Sequence, residues 1–342
     1  MKVGINGFGR IGKNVLRAYF ENGGKDTYGY EIVAVNNRKE AKTLAHLFKY
    51  ASLFGTYEGE VKAVGDDKLV IDGHEILLFE ERDPASAPWR ELGVDIVIES
   101  TGKFNKREDA EKHIAAGAKK VILTAPGKNV DDTFVVGVNC NSYDPKTHHI
   151  ISNASCTTNC LAPVLKVMDE NFGIKKGYMT TVHAITNDQS TLDIAHKKGI
   201  NSRRGRAAGY NIVPTSTGAA SAIGLVLPQL AGKLDGIALR VPVVTGSIVD
   251  LVLELNEETS VEEINMVLKN SANETLNYTE DPIVSSDVIG RSCGSLIDAL
   301  STSIVKDEDG KQLVKVVAWY DNEAGYSYQM VRTLKKLSEF IN

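Results

Sequence analysis

Short apolar runs alternate with longer amphipathic stretches through the first 150 residues. The runs are rich in Val, Ile and Leu, which is typical of strands buried on both faces of a sheet. The stretches between them carry apolar residues at helical spacing, whereas 57–80 has the alternation and turns of short strands. Strands that alternate with helices predict an α/β domain with a doubly wound, Rossmann-type parallel sheet. The predicted strands are 3–6, 31–36, 95–99 and 120–123, the predicted helices begin near 10, 40 and 108, and 22–29 is expected to be a loop.

The second half of the chain has a different pattern. Longer alternating segments dominate, with two helical stretches among them and a final helix over 324–340. This pattern predicts an α+β domain with a large, mostly antiparallel sheet and helices on one face. We therefore expect a first domain at 1–155, to which 323–342 returns, and a catalytic domain at 156–322. The predicted strands are 174–185, 238–243, 247–255, 295–300, 303–305 and 313–320, and the predicted helices are 156–172, 218–227 and 261–271.

A glycine-rich turn follows the first strand. Gly7, Gly9 and Gly12 form the pattern GxGxxG between a buried strand and a helix, the context in which this motif binds dinucleotides. Gly7 permits the turn, Gly9 lets the backbone approach a pyrophosphate, and Gly12 allows close packing of helix on strand. The phosphates would lie at the helix N-terminus. Polar residues that follow other strands, Ser100, Thr101 and Thr124, are expected at the same edge of the sheet.

Composition excludes several classes of function. The 342 residues suit two domains, and a net charge of −5 provides no positive field for nucleic acid. No apolar run approaches the about 20 residues that span a bilayer. Because the chain enters a strand at once, we expect no targeting peptide. Four cysteines without metal-ligand spacing favour a reducing, cytoplasmic location and no metal site.

Cys156 is the candidate nucleophile. Ser155 is a good N-cap residue, and the segment after it is helical in pattern. A cysteine in the first turn faces the positive end of the helix dipole, which is expected to lower its pKa and favour the thiolate. The alternative is a small buried apolar residue, the usual state of a lone cysteine.

His183 is the candidate base. A helix over 156–172 is about 25 Å long, and a strand from 174 to 185 is long enough to return the chain to the helix start. His183 can therefore lie beside Cys156, and a cysteine–histidine pair within hydrogen-bond reach is the usual activated thiol. The alternative is a histidine that only satisfies its hydrogen bonds at a strand end.

These residues resemble one family along essentially the whole chain: the phosphorylating glyceraldehyde-3-phosphate dehydrogenases. The resemblance rests on 4–12 (GINGFGRIG), 154–163 (ASCTTNCLAP), 181–186 (TVHAIT), 214–220 (PTSTGAA), 240–242 (RVP) and 319–323 (WYDNE). It implies that Cys156 attacks the aldehyde of glyceraldehyde 3-phosphate and that His183 removes the proton of the hemithioacetal. A hydride then passes to the nicotinamide, and inorganic phosphate attacks the thioester to give 1,3-bisphosphoglycerate.

The resemblance also assigns anion and cofactor contacts. It implies Thr186 and Arg240 at the substrate phosphate, and Ser155, Thr157, Thr217 and Gly218 at the attacking phosphate. An arginine of the loop 187–210 lies near the phosphates, expected to be Arg204, with Arg203 and Arg206 as alternatives. Without the resemblance, Thr217 is equally well explained as a helix cap. For Arg240, in an otherwise apolar strand, an anionic ligand is favoured and a structural salt bridge is the alternative. The cofactor contacts are expected from Asn6, Gly7, Gly9, Arg10, Ile11, Asn37, Arg38, Arg82, Ser100, Thr101, Thr124 and Asn322.

The sequence departs from the family pattern where the adenosine ribose is held. NAD-using members carry an aspartate after the second strand, and here Asn37 stands there, followed by Arg38 and Lys39. Without the carboxylate, a ribose 2′-phosphate is not repelled, and Arg38 can attract it. Ala195, where NAD-specific members often have proline, leaves further room. We expect use of NADP, alone or beside NAD. The alternative is that the two cations are solvated and NAD is preferred.

Two competing functions remain open from the sequence. Erythrose-4-phosphate dehydrogenase is the enzymatic alternative, in which water resolves the thioester, although the intact segment 215–218 argues against it. A binding protein for RNA or a surface would not need both Cys156 and His183. The family implies a homotetramer.

Overall fold

The computed structural model describes residues 1–196 and 199–340 and divides the chain into two compact units. The first unit comprises Met1–Ser155 and the C-terminal residues from Ser327 onward, and the second unit is Cys156–Tyr326. The return to the first unit thus begins at Ser327, four residues later than the expected position 323. Ile341 and Asn342, the end of the expected returning segment, lie outside the described residues.

A twisted sheet forms the centre of the first unit, in the strand order β10-β11-β9-β8-β1-β2-β7-β6-β5. All pairs from β10 to β7 are parallel, and only the edge strands β6 and β5 are antiparallel. The expected doubly wound α/β fold is confirmed. The strands are β1 Lys2–Asn6, β2 Glu31–Asn36, β5 Val61–Val64, β6 Lys68–Ile71, β7 His74–Phe79, β8 Ile96–Glu99, β9 Lys120–Leu123, β10 Asp132–Thr133 and β11 Ile150–Ser152, with the small hairpin β3 Tyr50–Ala51 and β4 Gly55–Thr56 apart from them.

The helices of the first unit connect these parallel strands. They are α1 Arg10–Glu21, α2 Gly24–Tyr28, α3 Ala41–Lys49, α4 Trp89–Leu92 and α5 Arg107–Ala115. The strand β1 lies between β2 and β8, so connections leave it in both directions. This is the switch point at which open parallel sheets bind ligands. The residues that end these three strands, Asn6, Asn36 and Glu99, are all buried there.

The expected loop at 22–29 is wrong, because it contains the short helix α2. Gly23 and Gly29 bracket this helix in left-handed backbone conformations that favour glycine. Tyr28 at its end is buried and stacks with Tyr19 at a ring distance of 6.0 Å. The polar and glycine residues of 22–29 are typical of a loop. The segment is helical nevertheless, because Tyr28 packs against aromatic rings of the core.

The C-terminal helix α9, Ala324–Ser338, contributes to the core of the first unit from Ser327 onward. Its apolar stripe of Met330, Val331, Leu334 and Leu337 is fully buried in that core. The phenol of Tyr30 approaches the carbonyl of Val331 at 3.4 Å. The C-terminal helix, although distant in sequence, therefore completes the hydrophobic core of the Rossmann-type unit.

The second unit has a sheet in the order β13-β14-β12-β15-β19-β17-β16, with β18 paired to β19. Most pairs are antiparallel, but β12–β14 and β16–β17 are parallel. The expected α+β class is confirmed. The elements are α6 Cys156–Phe172, β12 Ile174–His183, β13 Val213–Ser216, α7 Ala219–Val226, β14 Leu234–Arg240, β15 Ser247–Leu255, α8 Val261–Asn270, β16 Leu276–Thr279, β17 Ser295–Asp298, β18 Ser303–Lys306 and β19 Gln312–Tyr320.

Several boundaries in this unit differ from the sequence prediction; β17, for example, ends at Asp298 rather than at residue 300. The differences that matter most for the site are those of β14 and β12. The strand expected at 238–243 is β14, Leu234–Arg240, and it ends before Pro242, which has no N–H to donate to a neighbouring strand. The strand β12 ends at His183 rather than at residue 185. Both strands therefore end side by side, and their parallel register pairs His183 with Arg240.

Among the described residues, we find no helix that combines the length and apolar character required to cross a membrane.

Gly12 is the tightest contact between α1 and the sheet. A Cβ at this position would lie 2.2 Å from the carbonyl oxygen of Gly7 and 2.6 Å from Ser100 Oγ. Gly9 lies in extended backbone before α1, and a Cβ added there would have no other atom within 4 Å. The two glycines of one motif therefore differ in their steric environment.

We predict that Gly12→Ala lowers the thermal midpoint Tm by about 2–10 °C, because a backbone oxygen cannot move aside without shifting α1. Gly9→Ala is the matched control and should leave Tm within about 2 °C of the parent. Differential scanning calorimetry of both variants checks this. Equal midpoints for the two variants would show that the close approach at Gly12 does not limit packing.

Candidate active site

A cavity of about 360 Å³ opens at the switch point of the first unit. Eight of the twelve residues expected to contact the dinucleotide line this cavity. Asn36, Glu81, Lys103 and Phe104 also line it, although the sequence analysis did not single them out. The lining consists of Asn6, Gly7, Gly9, Asn36, Asn37, Arg38, Glu81, Arg82, Ser100, Thr101, Lys103 and Phe104.

The charges around this cavity suit an anionic ligand. Arg38, Arg82 and Lys103 contribute three positive side chains, and Glu81 contributes one negative side chain. The first turn of α1 contains no acidic residue, so no carboxylate there offsets the positive end of the helix dipole. Because Gly9 has open space at its Cβ position, a pyrophosphate can approach the backbone there. The donor set therefore fits a dinucleotide.

Four of the twelve expected cofactor contacts do not line this cavity, and one of them, Asn322, belongs to the second unit. Arg10 and Ile11 are the first residues of α1, where they lie beside the glycine turn. The Thr124 hydroxyl donates to the carbonyl oxygen of Glu99 at 3.1 Å, which joins the ends of β9 and β8. Arg10, Ile11 and Thr124 border the site, and their contact with a ligand stays a prediction.

In the second unit, Cys156 is the first residue of α6 and its side chain is partly exposed. Its Sγ lies 3.5 Å from Nε2 of His183. Ala154, two residues before it, has a left-handed backbone with φ of 55°, a conformation that costs a non-glycine residue energy. The sharp turn after β11 thus starts α6 with the thiol at its first position.

His183 is buried, and its other nitrogen is held by backbone. Nδ1 lies 2.7 Å from the carbonyl oxygen of Ala184, which can only accept, and 2.8 Å from Nη1 of Arg240, which can only donate. Nη1 also donates to the Ala184 carbonyl at 3.1 Å. A general base requires the tautomer with its proton on Nδ1, which bonds to Ala184 and leaves Nε2 unprotonated toward the thiol.

Electrostatics favour a neutral pair in this arrangement. Burial, followed by the positive charge of Arg240, lowers the pKa of His183 to about 3. Burial raises the pKa of the Cys156 thiol, and it outweighs the Arg240 charge and the hydrogen bonds with Thr157, which act in the opposite direction. The expectation that the helix start lowers this pKa is therefore wrong for the chain alone. Removing the thiolate from water costs more than the helix N-terminus returns.

Arg240 connects the base to an anion site. Its Nη1 donates to Thr186 Oγ1 at 3.0 Å, so the two residues expected at the substrate phosphate are in contact. Its Nε is buried and has no hydrogen-bond partner within the described part of the chain. A buried guanidinium N–H without an acceptor is costly, and a ligand anion would satisfy it.

Asp188 was not identified from the sequence, yet it links the two expected phosphate sites. Its carboxylate accepts hydrogen bonds from the Thr186 hydroxyl and from Nη1 of Arg204. Although burial opposes it, these two partners hold the pKa of Asp188 below its usual range. Arg204 Nε also donates to Thr215 at 3.2 Å, while Arg206 pairs with Asp193 instead. Of these two arginines, Arg204 is the one connected to Thr186.

Tyr320 is a second residue that the sequence analysis missed, although it stands within the quoted motif 319–323. Its phenol lies 2.9 Å from the hydroxyl of Thr157 and 2.8 Å from that of Thr181. The ring packs edge-on against His183, with 5.9 Å between ring centres. Burial raises the pKa of Tyr320, so the phenol is neutral and orients Thr157 by a hydrogen bond.

The remaining phosphate candidates are not brought into contact with Cys156 by any hydrogen bond described. Thr217 Oγ1 accepts a bond from the N–H of Ala219 at 3.1 Å, which is the helix-cap role left open above. Gly218 is the N-cap residue of α7, and Ser155 is the last residue of the first unit. Their role at a phosphate stays a prediction.

Asn322 is buried in the second unit with a fixed amide. The hydroxyls of Thr245 and Ser247 approach its Oδ1 at 3.3 and 3.0 Å, so Oδ1 is the accepting end. Its Nδ2 is therefore the end that can donate to a ligand. Across residues 1–196 and 199–340, no group of His, Cys, Asp and Glu is arranged to hold a metal ion.

Comparisons with known proteins agree with these sites. A family model described as glyceraldehyde 3-phosphate dehydrogenase, C-terminal domain, matches residues 155–322. The model described as glyceraldehyde 3-phosphate dehydrogenase, NAD binding domain, matches residues 1–107. Together the two matches include both the cavity of the first unit and the Cys156 site.

Similar curated proteins cover nearly the whole chain. A glyceraldehyde-3-phosphate dehydrogenase of Geobacillus stearothermophilus is 57% identical over 97% of this chain and 96% of its own length. Proteins of the same name from Streptomyces coelicolor and Clostridium pasteurianum are each 55% identical, over 97% and 98% of this chain and 96% and 97% of their own lengths.

We predict that Arg240→Leu raises the pKa of the Cys156 thiol further, because it removes the positive charge that favours the thiolate. The rate of Cys156 alkylation by iodoacetamide, measured against pH, should shift its midpoint upward by about one pH unit. Arg203→Leu is the matched control, since it removes the charge of an exposed arginine in the same unit. An unchanged or lower midpoint in Arg240→Leu would contradict the electrostatic role of Arg240.

Proposed function

Because the chain belongs to the glyceraldehyde-3-phosphate dehydrogenase family, we propose that Cys156 and His183 carry the reaction of that family in this protein. The protein is an NAD(P)-dependent oxidoreductase that converts glyceraldehyde 3-phosphate and inorganic phosphate into 1,3-bisphosphoglycerate. The observation that carries the residue assignment is the distance of 3.5 Å between Cys156 Sγ and His183 Nε2.

The first step is addition of the thiol to the aldehyde. Cys156 Sγ attacks the carbonyl carbon while His183 Nε2 takes the thiol proton and passes it to the developing alkoxide. The product is a neutral hemithioacetal, and His183 is again unprotonated. This route needs no resting thiolate, which agrees with the neutral pair that burial favours.

The second step is oxidation of the hemithioacetal. His183 Nε2 removes the hydroxyl proton as the hydride leaves the same carbon, which forms the thioester of Cys156 and an imidazolium. The cofactor, when bound, accepts that hydride at C4 of its nicotinamide. The imidazolium is costly beside Arg240 in a buried site, so it returns its proton readily.

The third step is attack of inorganic phosphate on the thioester. A phosphate oxygen bonds to the acyl carbon, the C–S bond breaks, and His183 returns the proton to the departing sulfur. The acyl phosphate leaves as 1,3-bisphosphoglycerate, and the thiol is restored. Because a thioester stays activated, the free energy of oxidation is retained in the product.

We assign the substrate phosphate to Arg240 and Thr186, supported by their direct contact and by the partnerless Arg240 Nε. The attacking phosphate is assigned to Ser155, Thr157, Thr217 and Gly218, with Arg204 beside them. Asp188 holds Arg204 and Thr186 through one carboxylate, so an arriving phosphate dianion competes with that carboxylate for both groups.

We propose that the enzyme accepts NADP in addition to NAD. Asn37 lies in the cavity lining with Arg38, Arg82 and Lys103, and no aspartate stands at the ribose position. A carboxylate in place of the Asn37 amide would repel a 2′-phosphate. At a charge separation of 4 Å and an effective dielectric near 20, this repulsion is on the order of 4 kcal/mol. The alternative is a preference for NAD with the three cations solvated.

We further propose that the active form is a cytoplasmic homotetramer. Large apolar side chains are exposed on the second unit, including Tyr178 and Ile237 on the neighbouring strands β12 and β14. Tyr210 and Ile212, in the segment before β13, are also exposed. Large exposed apolar side chains on one unit are typical of subunit contacts.

We predict that Arg204→Leu raises the KM for inorganic phosphate at least tenfold while the KM for glyceraldehyde 3-phosphate changes less than threefold. The reason is that Arg204 is the loop arginine connected to the anion sites through Asp188 and Thr215. Arg203→Leu is the matched control from the same loop and should behave as the parent. A larger effect from Arg203→Leu would assign the phosphate contact to Arg203.

The same assay without phosphate distinguishes the enzymatic alternative. The parent enzyme should then form about one equivalent of reduced cofactor per Cys156 and stop at the thioester. Continued turnover at more than a tenth of the full rate would favour the hydrolytic reaction of erythrose-4-phosphate dehydrogenase. The relatives described above favour the phosphorylating reaction.

We predict that kcat/KM for NADP lies within a hundredfold of kcat/KM for NAD, and that Asn37→Asp lowers the NADP value at least tenfold more than the NAD value. A carboxylate at this position repels the 2′-phosphate but accepts ribose hydroxyls. Steady-state kinetics with both cofactors measure this, with Asn37→Ser as the uncharged control. A parent ratio below one hundredth would end the NADP proposal.

A further inference from the structure

Glu99 is a buried carboxylate beneath the dinucleotide cavity. It ends β8, is 1% exposed, and accepts hydrogen bonds on both oxygens. Oε2 is bonded by Asn6 Nδ2 at 2.5 Å and by His113 Nε2 at 3.1 Å. Oε1 is bonded by the N–H of Thr101 at 2.7 Å and by its hydroxyl at 2.5 Å. Four hydrogen-bond donors therefore contact the two carboxylate oxygens.

The protonation of His113 is fixed by Trp89. The indole Nε1 can only donate, and it lies 3.0 Å from His113 Nδ1. Nδ1 is therefore the acceptor, and Nε2 carries the proton that is donated to Glu99. Within the described part of the chain, no lysine or arginine forms an ion pair with Glu99.

The groups that Glu99 holds are the walls of the cavity. Asn6 Oδ1 in turn accepts from Asn36 Nδ2 at 2.6 Å, which joins the ends of β1 and β2. Asn36 exchanges two further bonds of 2.8 Å with the backbone of Glu81. On the other side, the Thr101 hydroxyl accepts from the N–H of Lys103 at 3.1 Å. One carboxylate thus connects both walls of the cavity.

A buried charge without a cationic partner is destabilising, and a hydrogen-bond network around it stabilises one arrangement of its donors. We propose that Glu99 is a positioning residue of the dinucleotide site, which sets the geometry of Asn6 and Thr101 for the bound cofactor. The proposal rests on the assignment of this cavity to the cofactor. It further assigns Trp89 as a side chain coupled to that site through His113.

The direction in which a substitution at Glu99 changes the Kd for the cofactor distinguishes a positioning role from a purely electrostatic one. A dinucleotide carries a negatively charged pyrophosphate, so neutralising a nearby carboxylate would strengthen binding if charge alone mattered. If Glu99 positions the walls, Glu99→Gln places an amide N–H₂ against a donor on one side and weakens binding. The two explanations therefore predict opposite changes in Kd.

The experiment compares cofactor binding and turnover in the full-length enzyme. Glu99→Gln should raise Kd for NAD at least tenfold, equivalent to about 1.4 kcal/mol, in calorimetric titration. It should leave kcat at saturating cofactor within twofold, because Glu99 does not touch the reacting atoms. Kd for NADP should rise by the same factor, since the carboxylate acts on the strand ends and not on the 2′-phosphate.

Thr333→Val is the matched control for lost stability. It removes a buried hydrogen bond of 2.7 Å to Asn153 in the same unit, and should lower Tm without changing Kd more than twofold. Glu99→Asp is the second variant, should Glu99→Gln fail to fold. It keeps the charge but withdraws the carboxylate by one methylene, and we expect at least a threefold rise in Kd.

Fluorescence of Trp89 provides the independent readout. In a Trp319→Phe background the remaining tryptophan is Trp89. Binding of NAD should change the emission of Trp89 when Glu99 is intact. Glu99→Gln in the same background should at least halve that change. An unchanged or lower Kd in Glu99→Gln, or an equal rise in Thr333→Val, would overturn the positioning role. Failure of the parent enzyme to bind either dinucleotide would instead overturn the cofactor assignment of the cavity.

Discussion

The chemistry of the second unit depends on the removal of a thiol and an imidazole from water beside a fixed positive charge. Burial makes both neutral forms the stable ones, and Arg240 penalises the imidazolium further. When Nδ1 carries the proton it bonds to the Ala184 carbonyl, and the unprotonated Nε2 faces Cys156. His183 is thus a base that charges only while the reaction proceeds, and each proton it takes is promptly returned. The same desolvation makes an incoming phosphate the natural partner of Arg240.

Both units place a charged side chain where neighbouring strands end. In the first unit the charge is Glu99, and its four donors fix polar groups that line a cavity. In the second unit it is Arg240, which touches the base and a residue assigned to the substrate phosphate. Strand ends are suited to this purpose, because adjacent strands bring residues distant in sequence to within hydrogen-bond reach. Each charge is costly by itself and becomes useful through the groups it orders.

Much of the fold could be predicted from local pattern. The helix Cys156–Phe172 and the strands Glu31–Asn36 and Ser247–Leu255 have the expected bounds, since clear apolar periodicity and turn residues such as Gly173 set them. The helix at Gly24–Tyr28 and the short strand Leu276–Thr279 were missed. Their order comes from packing and from pairing with distant segments, which leave no periodic signal.

By itself the sequence determined which chemistry was available: a cysteine at a helix start, a glycine turn after a strand, and polar residues at strand ends. Only the tertiary structure decided how these groups are charged and what they contact. The register of β12 with β14 sets His183 beside Arg240, and the same folding surrounds Glu99 with donors. Asp188 and Tyr320 enter the site for the same reason. Residue type is local information, whereas desolvation and hydrogen-bond partners arise only when separate segments pack together.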